Sequence, residues 1–456
     1  MKKDKHKNLF LHLSMKNNNF IYTCLFSILL IFLFLPIIQK ECNIFKIKDL
    51  EGVTIQTEKV CLNFSNFSSA KYQVWIEKHL SETFAFREPI IRFYNQCIWT
   101  LFGKTHCENV SIGKDHWLFN EKSVKNHYEG LMSEYANNEE QLIKGFDRDI
   151  SLLKKLQDML KEHGTEIFVL MLPSKDLIYP EYLPNNTKYQ ENNSTRAYDY
   201  YSKAFAENGI QHLDIVSYFK KIKDKVDYPL FPKAGMHWSN IACAHASDTI
   251  IRYMEYLCGK NFPNIEVGKT YLAKTRRPDN DMARLLNIAS QKIYRKNYYA
   301  DVDVIPDLTA QKAKMIVMGD SFFWNMSYTL PMNDIFEYYH YWYYFNTIYY
   351  DSKHNNVSEI NLVEELKDAD VVMISLSATQ LYDINHGFIS QSIINLSLDD
   401  NETIDSILTN IKNNIKNDES WYNSVKNKAK TKGISVEEAL TQDAIYILNL
   451  EPEKYL

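Results

Sequence analysis

Glycine is scarce in this chain, and so are the patterns that would place it in several common classes. Seven cysteines occur in 456 residues and none forms a Cys-x-x-Cys pair, which argues against a zinc ribbon or a thioredoxin-type site. Basic charge is not in excess. The formal net charge is −5, so there is no basic field for nucleic acid. Internal repeats and low-complexity linkers are lacking as well, and nothing in the sequence calls for a metal or a cofactor. Only 13 glycines accompany abundant Lys, Asn, Ile and Tyr, a composition that speaks of an AT-rich genome and not of function.

What is present is ample material for a core, enough for one large domain or two moderate ones. Aromatic residues make up 14% of the chain, with 31 Tyr and 24 Phe. That favours extensive packing or a sugar-like ligand surface over disorder. Residues 1–19 are polar and Lys-rich, and 20–38 follow without a single charge. An apolar run of this length spans a bilayer as a helix, and its basic flank places the amino terminus in the cytoplasm. A cleaved signal peptide is the rival, but Pro36 to Cys42 offers no Ala-x-Ala site. The expectation is a cytoplasmic stub (1–19), one retained transmembrane anchor (20–38) and an extracytoplasmic remainder. In that compartment Cys42/Cys61 and Cys97/Cys107 are candidate disulfides, with free buried thiols as the alternative.

Periodicity organises the rest. A lead-in segment covers 43–110, with a helix expected over Lys71 to Phe84. From Asn138 to His163, Leu142, Phe146, Ile150, Leu153, Leu156 and Leu160 recur at helical spacing, with Asn138 as cap and Gly164 as stop. Thr165 to Leu172 reads as a buried strand ending in Pro173-Ser-Lys-Asp176. A helix over Ser194 to Asn208 and a strand over Gln211 to Val216 come next. Pro232-Lys-Ala-Gly-Met-His-Trp-Ser239 then leads into a helix running to Cys258, with Ser239 as its cap. Pro278 to Leu286 reads as a loop entering a short helix. Phe336 to Tyr350 is dense in Tyr and Trp, either a buried strand or a platform for sugar rings. Ala369 to Leu376 is a further buried strand, and the tail (401–456) is helical, with a capping box at Ser435 and Glu438. Strands alternating with helices imply an α/β fold, a parallel sheet with helices on both faces.

Two stretches carry chemistry. Met315 to Met318 is a short buried strand that breaks at Gly319-Asp-Ser321 and turns towards a helix. Ser321 therefore sits at the carboxyl edge of a sheet, where such folds bind ligands, beside backbone N–H groups able to hold an oxyanion. Taken alone, Gly-Asp-Ser is also consistent with a mere capping serine. His237, in the loop ahead of Ser239, supplies the base that a nucleophilic serine needs. His116, in Gly113-Lys-Asp-His-Trp-Leu-Phe119, is a second histidine that either serves the site or simply packs beside Trp117.

His237-Trp238 followed by Gly319-Asp-Ser321 resembles the SGNH hydrolase-like domain of the alginate O-acetyltransferase family, whose histidine block likewise precedes its serine block. The family's Gly-x-x-x-Trp-Leu-Phe segment matches Gly113 to Phe119, and its Pro-x-Lys matches Pro173-Ser-Lys175. The resemblance spans roughly 110–390, inside an expected domain at 111–400 with a flavodoxin-like three-layer architecture. It implies a bacterial, anchored or exported protein that acetylates an exopolysaccharide through an acyl-serine. The acyl group would come from a membrane-bound O-acyltransferase partner, and the acceptor would be a polysaccharide. Ser321 is then the nucleophile, His237 the base, and Asp320, Trp238, Lys175 and Trp324 line the cleft. One departure matters. The family carries an aspartate two residues before the histidine, where this chain has Gly235. Asp227 and Asp383 are the replacements suggested by loop placement, a Ser–His dyad is another option, and restoring Asp at 235 is expected to be tolerated. Acetyl esterase activity, or a non-catalytic glycan-binding subunit, are the competing functions.

Overall fold

The computed structural model describes residues 3–52, 58–130, 139–185, 195–350, 353–399, 401–450 and 454. They form two compact units, one from the chain up to Cys107 together with Ala283–Lys292, the other from Glu108–Met282 and Ile293 onwards. In the first, Lys3–Cys42 is a single helix. Its Phe20–Cys42 portion is long and apolar enough to cross a membrane, with a mean hydropathy of 2.7 and no buried residue in its 18-residue apolar window. Helices Lys71–Glu82 and Arg87–Phe102 come after it. Asn287 exchanges hydrogen bonds with the Glu51 backbone at 2.9 Å in both directions, which ties Ala283–Lys292 into this unit. All seven cysteines of the chain are free thiols, so neither Cys42/Cys61 nor Cys97/Cys107 is bridged.

The second unit is built on a seven-stranded sheet of β1 (Glu166–Leu172), β2 (His212–Asp214), β3 (Ala313–Gly319), β4 (Phe336–Tyr343), β5 (Thr347–Tyr350), β6 (Lys353–Asn356) and β7 (Val371–Ser377). Their spatial order is β6-β5-β4-β3-β7-β1-β2. The five from β4 to β2 are mutually parallel, with Val371 beside both Met315 and Glu166. The sheet as a whole is mixed, because β5 and β6 run antiparallel. Only three residues (344–346) separate β4 from β5. A connection that short returns the chain on itself, whereas parallel pairing needs a crossover of a dozen residues or more.

β7 is buried along its whole length and β3 almost so, as their continuous Val, Ile and Met runs require. Helix Glu139–Glu162 buries Leu142, Phe146, Ile150, Leu153, Leu156 and Leu160 and packs on β1. Its expected cap, Asn138, lies outside the described residues, as does Ser194. The next helix is Ala197–Glu207. The strand expected over 211–216 is shorter than its apolar pattern suggests. The Asp214 carboxylate accepts from Ser217 N–H at 2.9 Å and starts helix Ile215–Ile222, taking Ile215 and Val216 out of the sheet. Ser239 caps Asn240–Cys258, with Oγ accepting from Ala242 N–H at 3.3 Å. The three terminal helices, Asn401–Asn417, Glu419–Lys432 and Val436–Leu450, close around a small core of their own that includes Ile411, Ile415, Val425 and Leu440.

Candidate active site

Parallel strands bring their carboxyl ends to one edge, and the site is assembled there from the segments that leave β1, β3 and β7. Gly319 ends β3 pressed against β7. A Cβ on it would lie 2.4 Å from the Ser375 carbonyl oxygen, so only glycine allows the approach. The Asp320 carboxylate turns back into the protein, accepting from Ser377 N–H (2.8 Å) and Phe322 N–H (3.0 Å). Tyr341 Oη donates to the Asp320 carbonyl at 2.5 Å. Burial pushes the Asp320 pKa up, against the lowering effect of the Ser377 and Phe322 bonds. Asp320 thus braces the turn from behind and leaves Ser321 at its tip, ahead of helix Phe323–Thr329. Phe322 N–H is occupied by Asp320, while Ser321 N–H donates to no protein acceptor among the described residues.

The histidine loop is held by Lys175, the lysine of the Pro-Ser-Lys segment after β1. Its buried ammonium donates to the carbonyls of Leu118 and Pro232 (both 2.7 Å), Gly235 (2.9 Å) and Lys233 (3.1 Å). Burial drives its pKa well below the ordinary lysine value, opposed by the charge of Asp281. Trp238 is wholly buried and works as a strut: Nε1 donates to Phe322 O at 3.1 Å, and its carbonyl accepts from Asn325 at 2.8 Å. These bonds join the histidine loop to the serine turn across 84 residues of chain.

His237 Nε2 lies 2.9 Å from Ser321 Oγ, and on its other side Nδ1 lies 2.8 Å from Asp281 Oδ2. The other Asp281 oxygen accepts from Met236 N–H (2.9 Å) and Met282 N–H (2.6 Å), which holds the carboxylate against the imidazole. The carboxylate beside His237 is therefore neither of the two suggested by loop placement. Asp227 is exposed elsewhere, and Asp383 pairs with His386 at 3.2 Å. Asp281 lies in the Pro278 to Leu286 stretch that reads as a loop entering a helix, but no spacing relates it to His237. Gly235 explains why the acid does not stand two residues before the histidine. A Cβ there would meet the Asp279 carbonyl oxygen at 2.8 Å and Pro232 Cγ at 2.9 Å. The loop bearing Asp281 fills that space, so restoring Asp at 235 is not tolerated without moving backbone.

Ser321 opens into a pocket of about 250 Å³, whose walls include Ser174, Lys175, Met236, Asp320, Tyr344 and Ser377. Ser174 is buried, and its Oγ has no hydrogen-bond partner among the described residues. Of the expected cleft residues, Asp320 and Lys175 line this pocket, while Trp238 and Trp324 do not. Trp324 packs on Tyr341 and Tyr349, with ring centroids 4.8 and 4.9 Å away. His116 is exposed and is not part of the wall. The aromatic stretch is mainly packing: Phe336, Tyr341, Trp342 and Phe345 are buried, and Tyr344 is its one ring on the pocket wall. Tyr344 and Phe345 hold left-handed backbone (φ 48° and 49°), a strained choice for bulky residues. Tyr344 N–H donates to Gly319 O at 3.0 Å, fastening the β4–β5 turn beside the nucleophile. Among the described residues, no group of three or more His, Cys, Asp or Glu side chains is placed to hold a metal ion.

Comparison with known proteins finds similar sequences and structures for this part of the chain. The sequence model described as "SGNH hydrolase-like domain, acetyltransferase AlgX" matches residues 110–330. A protein of Pseudomonas syringae pv. tomato named "Probable alginate O-acetylase AlgJ" is 20% identical over 196 residues, covering 41% of this chain and 46% of that protein. The match thus spans less than half the length of that relative. Among solved structures, the O-acetyltransferase domain of Pseudomonas putida AlgJ aligns at 17% identity and a TM-score of 0.42, over 64% of this chain and 99% of that one. Pseudomonas aeruginosa AlgX aligns at 14% identity and a TM-score of 0.41, over 63% of this chain and 67% of that one.

Proposed function

We propose that the chain is a member of the alginate O-acetyltransferase-like family, whose SGNH hydrolase-like domain its residues 110–330 match, and that it is a membrane-anchored, extracytoplasmic O-acyltransferase that places acetyl groups on a cell-surface or secreted polysaccharide. The observation that carries the reading is the unbroken line Ser321 Oγ, His237 Nε2, His237 Nδ1, Asp281 Oδ2, with contacts of 2.9 and 2.8 Å.

The Asp281 carboxylate accepts Nδ1–H, which leaves Nε2 as a base facing the Ser321 hydroxyl. Ser321 Oγ attacks the donor's acyl carbonyl as His237 takes the hydroxyl proton. In this reading the tetrahedral oxyanion is met by Ser321 N–H and by Ser174 Oγ–H; both residues line the pocket, and neither group has a protein partner among the described residues. Collapse expels the donor's alcohol or thiol, which takes the proton from His237, and Ser321 is left acetylated. A sugar hydroxyl then gives its proton to His237, attacks the acetyl carbonyl and restores the serine.

In this reading residues 20–38 anchor the protein, 43–110 lead away from the membrane, and 111–400 form the catalytic domain as a flavodoxin-like three-layer scaffold. Residues 401–456 append a helical segment. Activated acyl donors are cytoplasmic, so a membrane-bound O-acyltransferase hands the acetyl group across. Incubating the full-length protein in detergent with an activated acetyl ester is expected to leave an acetyl group on Ser321, detectable by peptide mass spectrometry. Deacylation by an oligosaccharide faster than by water marks a transferase, and the reverse marks an esterase. No adduct on Ser321 refutes both.

A further inference from the structure

Beside the Ser321 pocket, and sharing Tyr344 with it, lies an open groove of about 850 Å³. Five residues with primary amides line it, Asn346, Asn356, Asn361, Gln391 and Asn395, and among the described residues no Asp, Glu, Lys or Arg does. An amide both donates and accepts, which matches a sugar hydroxyl that does the same. Two of the five are uncommitted: the side-chain amides of Asn346 and Gln391 make no hydrogen bond among the described residues, and both residues are exposed. His386, also on the wall, has Nδ1 held by Asp383 at 3.2 Å, while its buried Nε2 has no hydrogen-bond partner among the described residues. Tyr344 supplies a ring face, with the buried Phe345 beside it.

Resting on the transferase reading, we infer that this groove is the acceptor subsite and that it takes an uncharged pyranose chain, not a polyuronate. A uronate carboxylate laid here would lose hydration without meeting a cation. Recognition of a carboxylate ordinarily uses Arg or Lys. The acidic charges beside the groove would repel it further, since Asn356 and Asn361 cap turns that carry Glu359 and Glu364 three residues after the cap. Tyr344 borders both spaces, so a chain in the groove presents its neighbouring hydroxyl to an acetylated Ser321. The strained β4–β5 turn sets that border.

Binding in an acylation-dead protein tests the groove separately from the reaction. Full-length Ser321→Ala in detergent is titrated calorimetrically with neutral gluco-, galacto-, manno- and N-acetylhexosamine oligosaccharides and with oligomannuronate. At least one neutral series is expected to bind at least tenfold more tightly than the uronate. Adding Asn346→Ala and Gln391→Ala should weaken that binding tenfold or more, with thermal melting confirming the fold. Gln391→Glu, nearly isosteric, should weaken uronate binding further. Uronate binding as tight as neutral binding, indifference to the double substitution, or no neutral binding at all overturns the inference. Failure to acetylate Ser321 in the wild type would count against the reaction and leave these titrations to judge the groove.

Discussion

Asp281→Asn is the substitution that separates a working triad from three residues that merely touch. The wild-type carboxylate is surrounded by donors: His237 Nδ1 at 2.8 Å, Met236 N–H at 2.9 Å and Met282 N–H at 2.6 Å. An asparagine can present oxygen to only one side. The two backbone N–H groups cannot rotate, so they claim the oxygen, and the amide NH₂ then faces the imidazole. A donor opposite Nδ1 selects the tautomer with the proton on Nε2, where it faces Ser321 and can no longer accept the hydroxyl proton. A forced wrong tautomer costs about 10⁴ in turnover in the comparable serine-protease case, or ~5.5 kcal/mol of barrier. Asp281 is 27% exposed, which lets water partly reorganise, so a loss of about 10³–10⁴ is expected. The assay is acetyl release from an activated ester by the full-length protein. Asp281→Asn combined with Ser321→Ala should be no slower than Ser321→Ala alone, because members of one unit are not additive. Gly235→Asp should not rescue it. The new Cβ would sit 2.8 Å from the Asp279 carbonyl oxygen, which costs ~1–3 kcal/mol by overpacking and displaces the loop. A loss under threefold in Asp281→Asn, or a tenfold recovery in the Gly235→Asp double variant, would refute this account.

The same geometry carries other expectations. Ser174→Ala should lower kcat about 10²-fold with KM little changed, since a buried hydroxyl aimed at a developing oxyanion acts mainly in the transition state; an equal rise in KM would point to substrate binding instead. Lys175→Met leaves four carbonyls without their shared donor, each costing ~1–3 kcal/mol, partly offset by no longer burying an ammonium. A fall of several degrees in the melting temperature is expected, and a wild-type melting curve would show the cage to be dispensable. Burial raises the Asp279 pKa from 3.8 to about 6, so the folded state binds its proton more tightly than the unfolded chain. Stability is therefore lost as pH rises from about 4 to 6, by up to ~3 kcal/mol, and stays low above that. Asp279→Asn should match the wild type near pH 4 and melt higher at pH 7, and a gap independent of pH would show that the carboxyl does not titrate in this way. Amino-terminal sequencing of the mature protein checks the anchor, since a new terminus near residue 40 would mean cleavage.

Local sequence was enough to mark the chemistry that depends on neighbours along the chain. A buried apolar run broken by Gly319-Asp-Ser321 announces a strand and turn, because strand burial and glycine's freedom act over a few residues. Ser239 announces a helix start, and so places His237 in the loop before it. The uncharged run 20–38 is legible for the same reason, since length and polarity alone decide whether a helix can cross a bilayer.

The acid was not legible, because a hydrogen bond to His237 depends on where a loop 44 residues further on returns in space. No periodicity encodes that return. Gly235 looks like a defect in a motif until the Asp279 backbone is seen against it. The amide groove is of the same kind. Its polar walls come from the β4–β5 turn, the end of β6 with the segment after it, and the helix Phe388–Asp399, and they form one surface only because the fold brings these distant segments together. Propensity and pattern act through contacts near in sequence, whereas a constellation of side chains is fixed by packing between distant ones.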